Sequence, residues 1–419
     1  MMDYQAFMAS LGLNVPPEAE QTAFHTIGQS IWDAACADFE QNGCRWVSED
    51  WLRALEADLD LFRRNRESVY RGAAMLREIP ELCRFIVLLE HMLRADRKAL
   101  RADGSWNLPP APEGADPLPY ELTGFFAELA LVPESAAILR GRKVPESVVR
   151  DTLSAFDGSI SIFAGTRHRP GYDASRVRWT IHYLVPDILR IGRLEFEMRP
   201  FGGAVRAFTR EDGTLCALAY DCRLHYTGAM LGAAGCVDEG WPGTPFAAFD
   251  ADFKELPDGW EGYPVEDGRA LRPRVKLSRD EWTPFLSPGD PVLSVHIPAF
   301  QPFDHERVLD AYHRARAIIG LCFPDFPYRA IVCASWLMDP MLDKLLEGRG
   351  NIVNFQRDFL RFPSPASGRG VYTFLFNMPK AAPEELPADS TLRRKVRDLL
   401  LAGGHILELG GILKPTALY

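Results

Sequence analysis

Apolar residues recur at intervals of three and four through the first hundred positions, and then the rhythm changes. Phe24, Ile27, Ile31 and Ala35 share one face of 16–40. Leu52, Leu55, Leu59 and Phe62 repeat the pattern over 48–66, and Leu82, Phe85, Leu89 and Met92 form a third stripe from Glu81 onward. Such spacing buries one side of an amphipathic helix, so residues 1–101 are expected to form a helical bundle punctuated at Gly43 and Pro80. Residues 102–119 carry five prolines and two glycines and read as a loop or linker. Shorter helical patterns follow at 121–131, 145–164 and 175–190. In the last, Val177, Ile181 and Leu184 make the stripe, Ser175 stands where an N-cap belongs, and Pro186 ends or kinks the helix.

At Ile191 the period drops to two. Leu194, Phe196 and Met198 alternate with Arg193, Glu195 and Glu197, and Asp212–Gly213 is a hairpin signal, so 191–220 is expected to be a three-stranded antiparallel meander. Residues 223–289, rich in Gly, Pro, Trp and Asp, read as a surface excursion with one short strand at 274–277. Two apolar strand-like runs, 292–297 and 330–337, then bracket a periodic helix over 304–319. Strand, loop, helix and strand at this length form a βαβ unit with a parallel strand pair. Asp339 and Pro340 open a short helix, 370–377 reads as a strand, Ser390 caps a helix ended by Gly403–Gly404, and 406–413 is a last strand.

Composition narrows the function. The 419 residues can fill two or three domains, and the 47% hydrophobic and 25% charged content is ordinary for a folded protein. A net charge of −10 argues against nucleic acid or an anionic membrane as the main partner. None of the eight cysteines forms CxxC or a zinc spacing, so free thiols in a reducing, cytoplasmic compartment are expected. The N-terminus lacks a positive signal-peptide region, and no apolar run reaches the ~18 residues of a membrane span.

His296 is the sharpest candidate for chemistry. It ends the first strand of the βαβ unit on the face of Ser294, where a neutral imidazole can take a proton from an ammonium. The plainer alternative is a histidine hydrogen-bonded in a half-buried sheet. Glu195, with Glu197 on the same face, is a second candidate base, against a solvated or ion-paired strand face. Ser335 and Cys333 share a face of the second strand and raise nucleophilic catalysis, but no GxSxG elbow surrounds them. His305 and His313, eight apart on one helix, lack a metal-site pattern, and no metal is expected. Trp241, Trp260 and Trp282 either line an apolar site or cap a core.

The segments LRIGRLEFEM (189–198), PGDPVLSVHIPAFQPFD (288–304), CASWLMDP (333–340) and NIVNF (351–355) resemble a bacterial acyltransferase domain-containing family with a helical N-terminal domain and a GNAT-like C-terminal domain. The resemblance implies an α+β fold: a helical domain over 1–145, then a GNAT-like mixed sheet flanked by helices over 146–419. It also implies an acyl-CoA-dependent N-acyltransferase that acts by direct attack of a small-molecule amine, without a metal. His296 or Glu195 would be the base, and Ser335 would orient the substrate or protonate the leaving thiolate, with Tyr372 as an alternative acid. Ile297, Phe300, Gln301, Phe303, Asp304 and His305 would hold the donor. The wider fold has a glycine-rich loop after its central strand that cradles the CoA pyrophosphate. Here the corresponding PAFQPFDHERV has no glycine and two prolines. That departure motivates the alternative, a non-catalytic GNAT-like binding or regulatory protein, in which Phe300 and Phe303 would fill the donor opening.

Overall fold

The computed structural model describes residues 2–105, 107–231, 248–299, 301–365 and 368–415. They fall into two compact units, Met1–Arg190 and Ile191–Tyr419. The break lies beyond the expected 145/146 boundary. Glu146–Leu153, Ala155–Arg167 and Ala174–Leu184 are amphipathic helices whose apolar faces are buried with the helices before them.

In the first unit the expected stripes become helices. Ala23–Asn42 (α1) and Pro80–Ala102 (α2) pack on each other, and the short helix Thr123–Leu129 is buried along its whole length beside α2. Ala174–Leu184 (α3) also packs on α2. Its N-cap is Asp173 rather than Ser175: the carboxylate accepts the Arg176 N–H at 2.9 Å and the Ser175 hydroxyl at 2.6 Å. A charged acceptor at the positive end of the helix dipole outcompetes a hydroxyl. Deep in this unit Glu128 is fully buried, with Tyr172 Oη and Thr180 Oγ1 each 2.8 Å from its Oε2. Burial raises its carboxyl well above the ordinary range.

The second unit is built on a six-stranded mixed sheet. Its strands are Ile188–Ile191 (β1), on which the boundary falls, Leu194–Pro200 (β2), Pro291–His296 (β6), Ala330–Ser335 (β7), Phe359–Pro363 (β8) and Leu409–Leu413 (β9). Their order is β1-β2-β6-β7-β9-β8. The pair β6–β7 is parallel, as the βαβ pattern required, and β2–β6, β7–β9 and β9–β8 are antiparallel. The crossover helix His305–Cys322 (α4) buries Val308, Ala311, Tyr312, Ala315 and Ile319. Burying each large apolar side chain contributes roughly 1.5–3 kcal/mol.

Pleat parity decides which face α4 covers. Tyr312 meets Phe359 edge to face at 6.3 Å. Phe359 alternates with Phe362, and Phe362 lies with Val292, Val332 and Ile412 in a core on the opposite face. That second core is shared with Val205–Thr209 (β3), Leu215–Ala219 (β4) and Thr283–Leu286 (β5). Gly410 makes room for the Phe362 ring, since a Cβ there would sit 2.1 Å from Phe362 Cζ.

Three expectations are corrected. The meander over 191–220 is split: β2 joins the central sheet, whereas β3 and β4 pair across the Asp212–Gly213 turn and take β5 as a third strand. Alternation marks a strand but not its partner: β2 pairs with the distant β6, whereas β3 and β4 are joined locally by their turn. The region after Arg223 is more regular than expected. Lys254–Leu256, Gly259–Gly262 and Val275–Ser278 form a small sheet whose Trp260 and Leu277 pack with Phe208 and Trp282. Both described tryptophans therefore cap a core, and Trp241 lies outside the described residues.

The run 370–377 is not a strand. Tyr372–Phe376 is a π-helical turn, in which the wide i to i+4 and i+5 spacing sends Tyr372 and Phe376 into a cluster with Trp336 and Val396. Phe374, which alternation would have placed with them, is 70% exposed. Among the described residues no helix is long and apolar enough to cross a membrane.

Candidate active site

The site forms where β6 and β7 part. Their parallel register runs from Val292↔Ala330 to Val295↔Cys333 and stops there. Both strands continue on their outer sides: β6 stays paired with β2 through His296↔Glu195, and β7 stays paired with β9 through Ser335↔Leu409. The backbones of His296 and of residues 334–335 therefore leave each other's ladder while remaining anchored from outside. A fork of this kind presents main-chain groups to an extended ligand.

His296 stands at the fork on the face of Ser294. The antiparallel register puts Glu195 and Glu197 on that same face, opposite His296 and Ser294 respectively. Glu195 is buried, only 3% exposed. The imidazole reaches diagonally to the next carboxylate: His296 Nε2 lies 3.0 Å from Glu197 Oε2. A carboxylate only accepts, so Nε2–H donates, and in the neutral ring the lone pair is then on Nδ1. Arg199, next on the face, holds its Nε 3.5 Å from the same Oε2, an ion pair without a hydrogen bond. The row Arg199, Glu197, His296 thus orders the imidazole from behind.

Ser335 is not part of this group. Val295 and Cys333 are register partners, so Cys333 and Ser335 project on the face opposite His296. Ser335 Oγ instead accepts the Leu337 N–H at 3.1 Å, capping the turn that ends β7. The Cys333 thiol is buried, which pushes its pKa up to about 12 and leaves almost no thiolate at neutral pH. A Ser or Cys nucleophile paired with His296 is excluded by pleat parity. Tyr372 is buried in the cluster with Trp336, on the π-helical turn rather than on a neighbouring strand.

The expected donor loop follows β6. Pro298 is buried, Ala299, Gln301 and Pro302 are exposed, Ile297 is half-buried, and Phe300 lies outside the described residues. Phe303 is held away as a ring contact of Phe355, 5.2 Å between centroids, on the helix Asn351–Arg357 (α5). Asp304 is the N-cap of α4, accepting the Glu306 N–H at 3.0 Å. His305 is bonded to Asp358 at 2.9 and 3.1 Å. Burial raises the Asp358 carboxyl, while His305 pulls it back down.

Among the described residues one cluster has metal-like geometry: Asp38, Glu90 and His91, in the helical unit, with ligand atoms within 4.8 Å of one another. Its carboxylates are already used, Glu90 by Arg94 at 2.5 Å and Asp38 by Asn42 at 2.6 Å.

The sequence pattern described as "GNAT-like C-terminal domain" matches residues 188–413, which span the whole central sheet. The chain belongs to that family. No curated protein matches it. Solved structures share its fold. One is an acyltransferase in complex with decanoyl-CoA and teicoplanin, 19% identical, and another is an acyltransferase in complex with decanoyl-CoA, 20% identical. Each comparison covers 99% of this chain and 99% of that chain, with a TM-score of 0.60. Identity at this level establishes the shared α+β architecture, a helical region followed by a GNAT-like mixed sheet.

What sequence reasoning missed is the partner of His296 and the support of the donor loop. Glu197 was visible as a face-mate of Glu195, but the diagonal reach depends on a register that alternation alone does not set. Arg193 was visible only as a polar residue just before β2.

Proposed function

We propose that this chain is an acyl-CoA-dependent acyltransferase that transfers the acyl group to a small-molecule amine by direct attack. The observation that carries the reading is the fork between β6 and β7 with His296 at its edge. An acyl-CoA threads its amide-bearing arm between the parted strands, so that backbone groups of 296–297 and 334–335 meet it as a partial strand. The thioester then lies beside His296. Nδ1 takes the proton of the incoming ammonium, the freed amine forms the new C–N bond, and the C–S bond breaks as the amine's second proton passes to the departing thiolate, giving the amide and CoASH. Glu197 steadies the imidazolium that forms. Glu195, on the same face, is a second carboxyl beside the acceptor's path and the alternative base. Solved relatives bound to acyl-CoA support the donor class.

The test is incubation with a panel of acyl-CoA esters and amines, reading thermal shift and free thiol. Stabilisation by one or more esters, with amine-dependent thiol release, is expected. No stabilisation by any CoA ester overturns the reading.

A further inference from the structure

The loop after β6 lacks the glycines that let a backbone wrap a phosphate, yet three of its carbonyls share one partner. Arg193 occupies the tight turn between β1 and β2, after Gly192 at φ 61°. Its side chain runs beneath the loop and is 5% exposed. The guanidinium donates to three loop carbonyls: Nε to Pro302 O at 2.8 Å, Nη1 to Pro298 O at 2.9 Å and Nη2 to Gln301 O at 3.2 Å. Its carbon also lies 5.3 Å from the centre of the Phe303 ring.

Because a trans peptide is planar, a carbonyl turned toward Arg193 turns the following N–H away from it. The Ala299 and Phe303 N–H groups are thus aimed outward. The Gln301 carbonyl is followed by Pro302, which has no N–H to aim. Prolines 298 and 302 also hold their own φ near −65°. The guanidinium brings one positive charge under a loop whose next residue, Asp304, is negative.

We infer that Arg193 is the positioning residue of the donor loop. It replaces the missing glycines by gathering the loop carbonyls inward, so that the Ala299 and Phe303 N–H groups face a diphosphate at the start of α4. The inference rests on the acyl-CoA reading above. The diphosphate is that of the donor nucleotide, and strand-to-helix loops of this kind are general anion sites.

Arg193→Met removes all three donors at similar length, and Arg193→Lys keeps the charge but cannot span three carbonyls. Binding of octanoyl-CoA and of S-octanoylpantetheine, which lacks the diphosphate, is measured by calorimetry on the full chain. Amide hydrogen exchange is followed over 298–304. For Arg193→Met, octanoyl-CoA affinity is expected to fall at least about tenfold, the loss of one to two charge-assisted hydrogen bonds. Any S-octanoylpantetheine affinity stays within about twofold on the same grounds. On octanoyl-CoA binding, exchange at Ala299 and Phe303 slows in wild type and slows less in Arg193→Met, while β6 and β7 keep their protection in both. Arg193→Lys falls between wild type and Met, and carries the test if the Met variant does not fold.

Unchanged octanoyl-CoA affinity in a variant overturns the role of Arg193, as does equal weakening of both ligands or equal protection of the loop amides by octanoyl-CoA in variant and wild type. Failure of the wild-type protein to bind octanoyl-CoA or any other ester overturns the donor reading instead.

Discussion

Glu128 offers a measurement that needs no substrate. Its carboxyl is 0% exposed and, among the described residues, hydrogen-bonded to the hydroxyl groups Tyr172 Oη and Thr180 Oγ1. Burial therefore raises its pKa well above the ordinary glutamate value. The sign follows from proton counting. Well below pH 4 the group is protonated in both folded and unfolded chains and contributes no difference. Above that, the unfolded chain releases the proton and the folded chain keeps it. Stability then falls as pH rises, by about 1.4 kcal/mol per pH unit, until the pH passes the folded-state value.

Glu128→Gln keeps the shape and the hydrogen-bonding capacity but cannot ionise. The variant is expected to match wild type near pH 4 and to gain on it steadily as pH rises. For a unit of this size a difference of about 1 kcal/mol moves Tm by roughly 2–4 °C. The assay is thermal unfolding of both proteins at half-unit steps from pH 4 to 8, read as the difference between them so that other titrations cancel. A difference in Tm independent of pH would refute the reasoning, because Glu128 would then ionise alike in both states.

Other expectations concern the second unit. His296→Gln should lower amine-dependent thiol release by about a hundredfold to ten-thousandfold with the fold intact, the usual range for losing a general base; loss of less than threefold in steady-state assays removes His296 from the mechanism. Glu197→Gln should reduce turnover more than octanoyl-CoA binding, seen as a drop in kcat with KM little changed. Ser335→Ala should leave turnover near wild type while destabilising the chain by about 1 kcal/mol in urea, the loss of a cap. Tyr312 Oη is buried with no hydrogen-bond partner among the described residues. Tyr312→Phe is therefore expected to be neutral or to stabilise by up to about 1 kcal/mol in urea unfolding, and a clear destabilisation would reveal a partner.

The amino-acid sequence by itself determined the local elements of this protein. Stripes such as Leu82, Phe85, Leu89 and Met92 depend only on the 3.6-residue turn, and caps such as Asp339 with Pro340 and Ser390 act within a few residues. The βαβ unit was legible for the same reason, and it placed His296 at a strand end. Position 372 shows the limit: an aromatic run fits a strand and a π-turn equally, and only the cluster around Trp336 chose between them. The site itself was decided by tertiary structure. Whether His296 meets Glu195, Glu197 or Ser335 depends on strand order and register across about a hundred residues, and a shift of one residue would reverse every face. The three carbonyls gathered by Arg193 likewise belong to a loop more than a hundred positions away. Such contacts are set by which surfaces bury each other, and no local pattern encodes that choice.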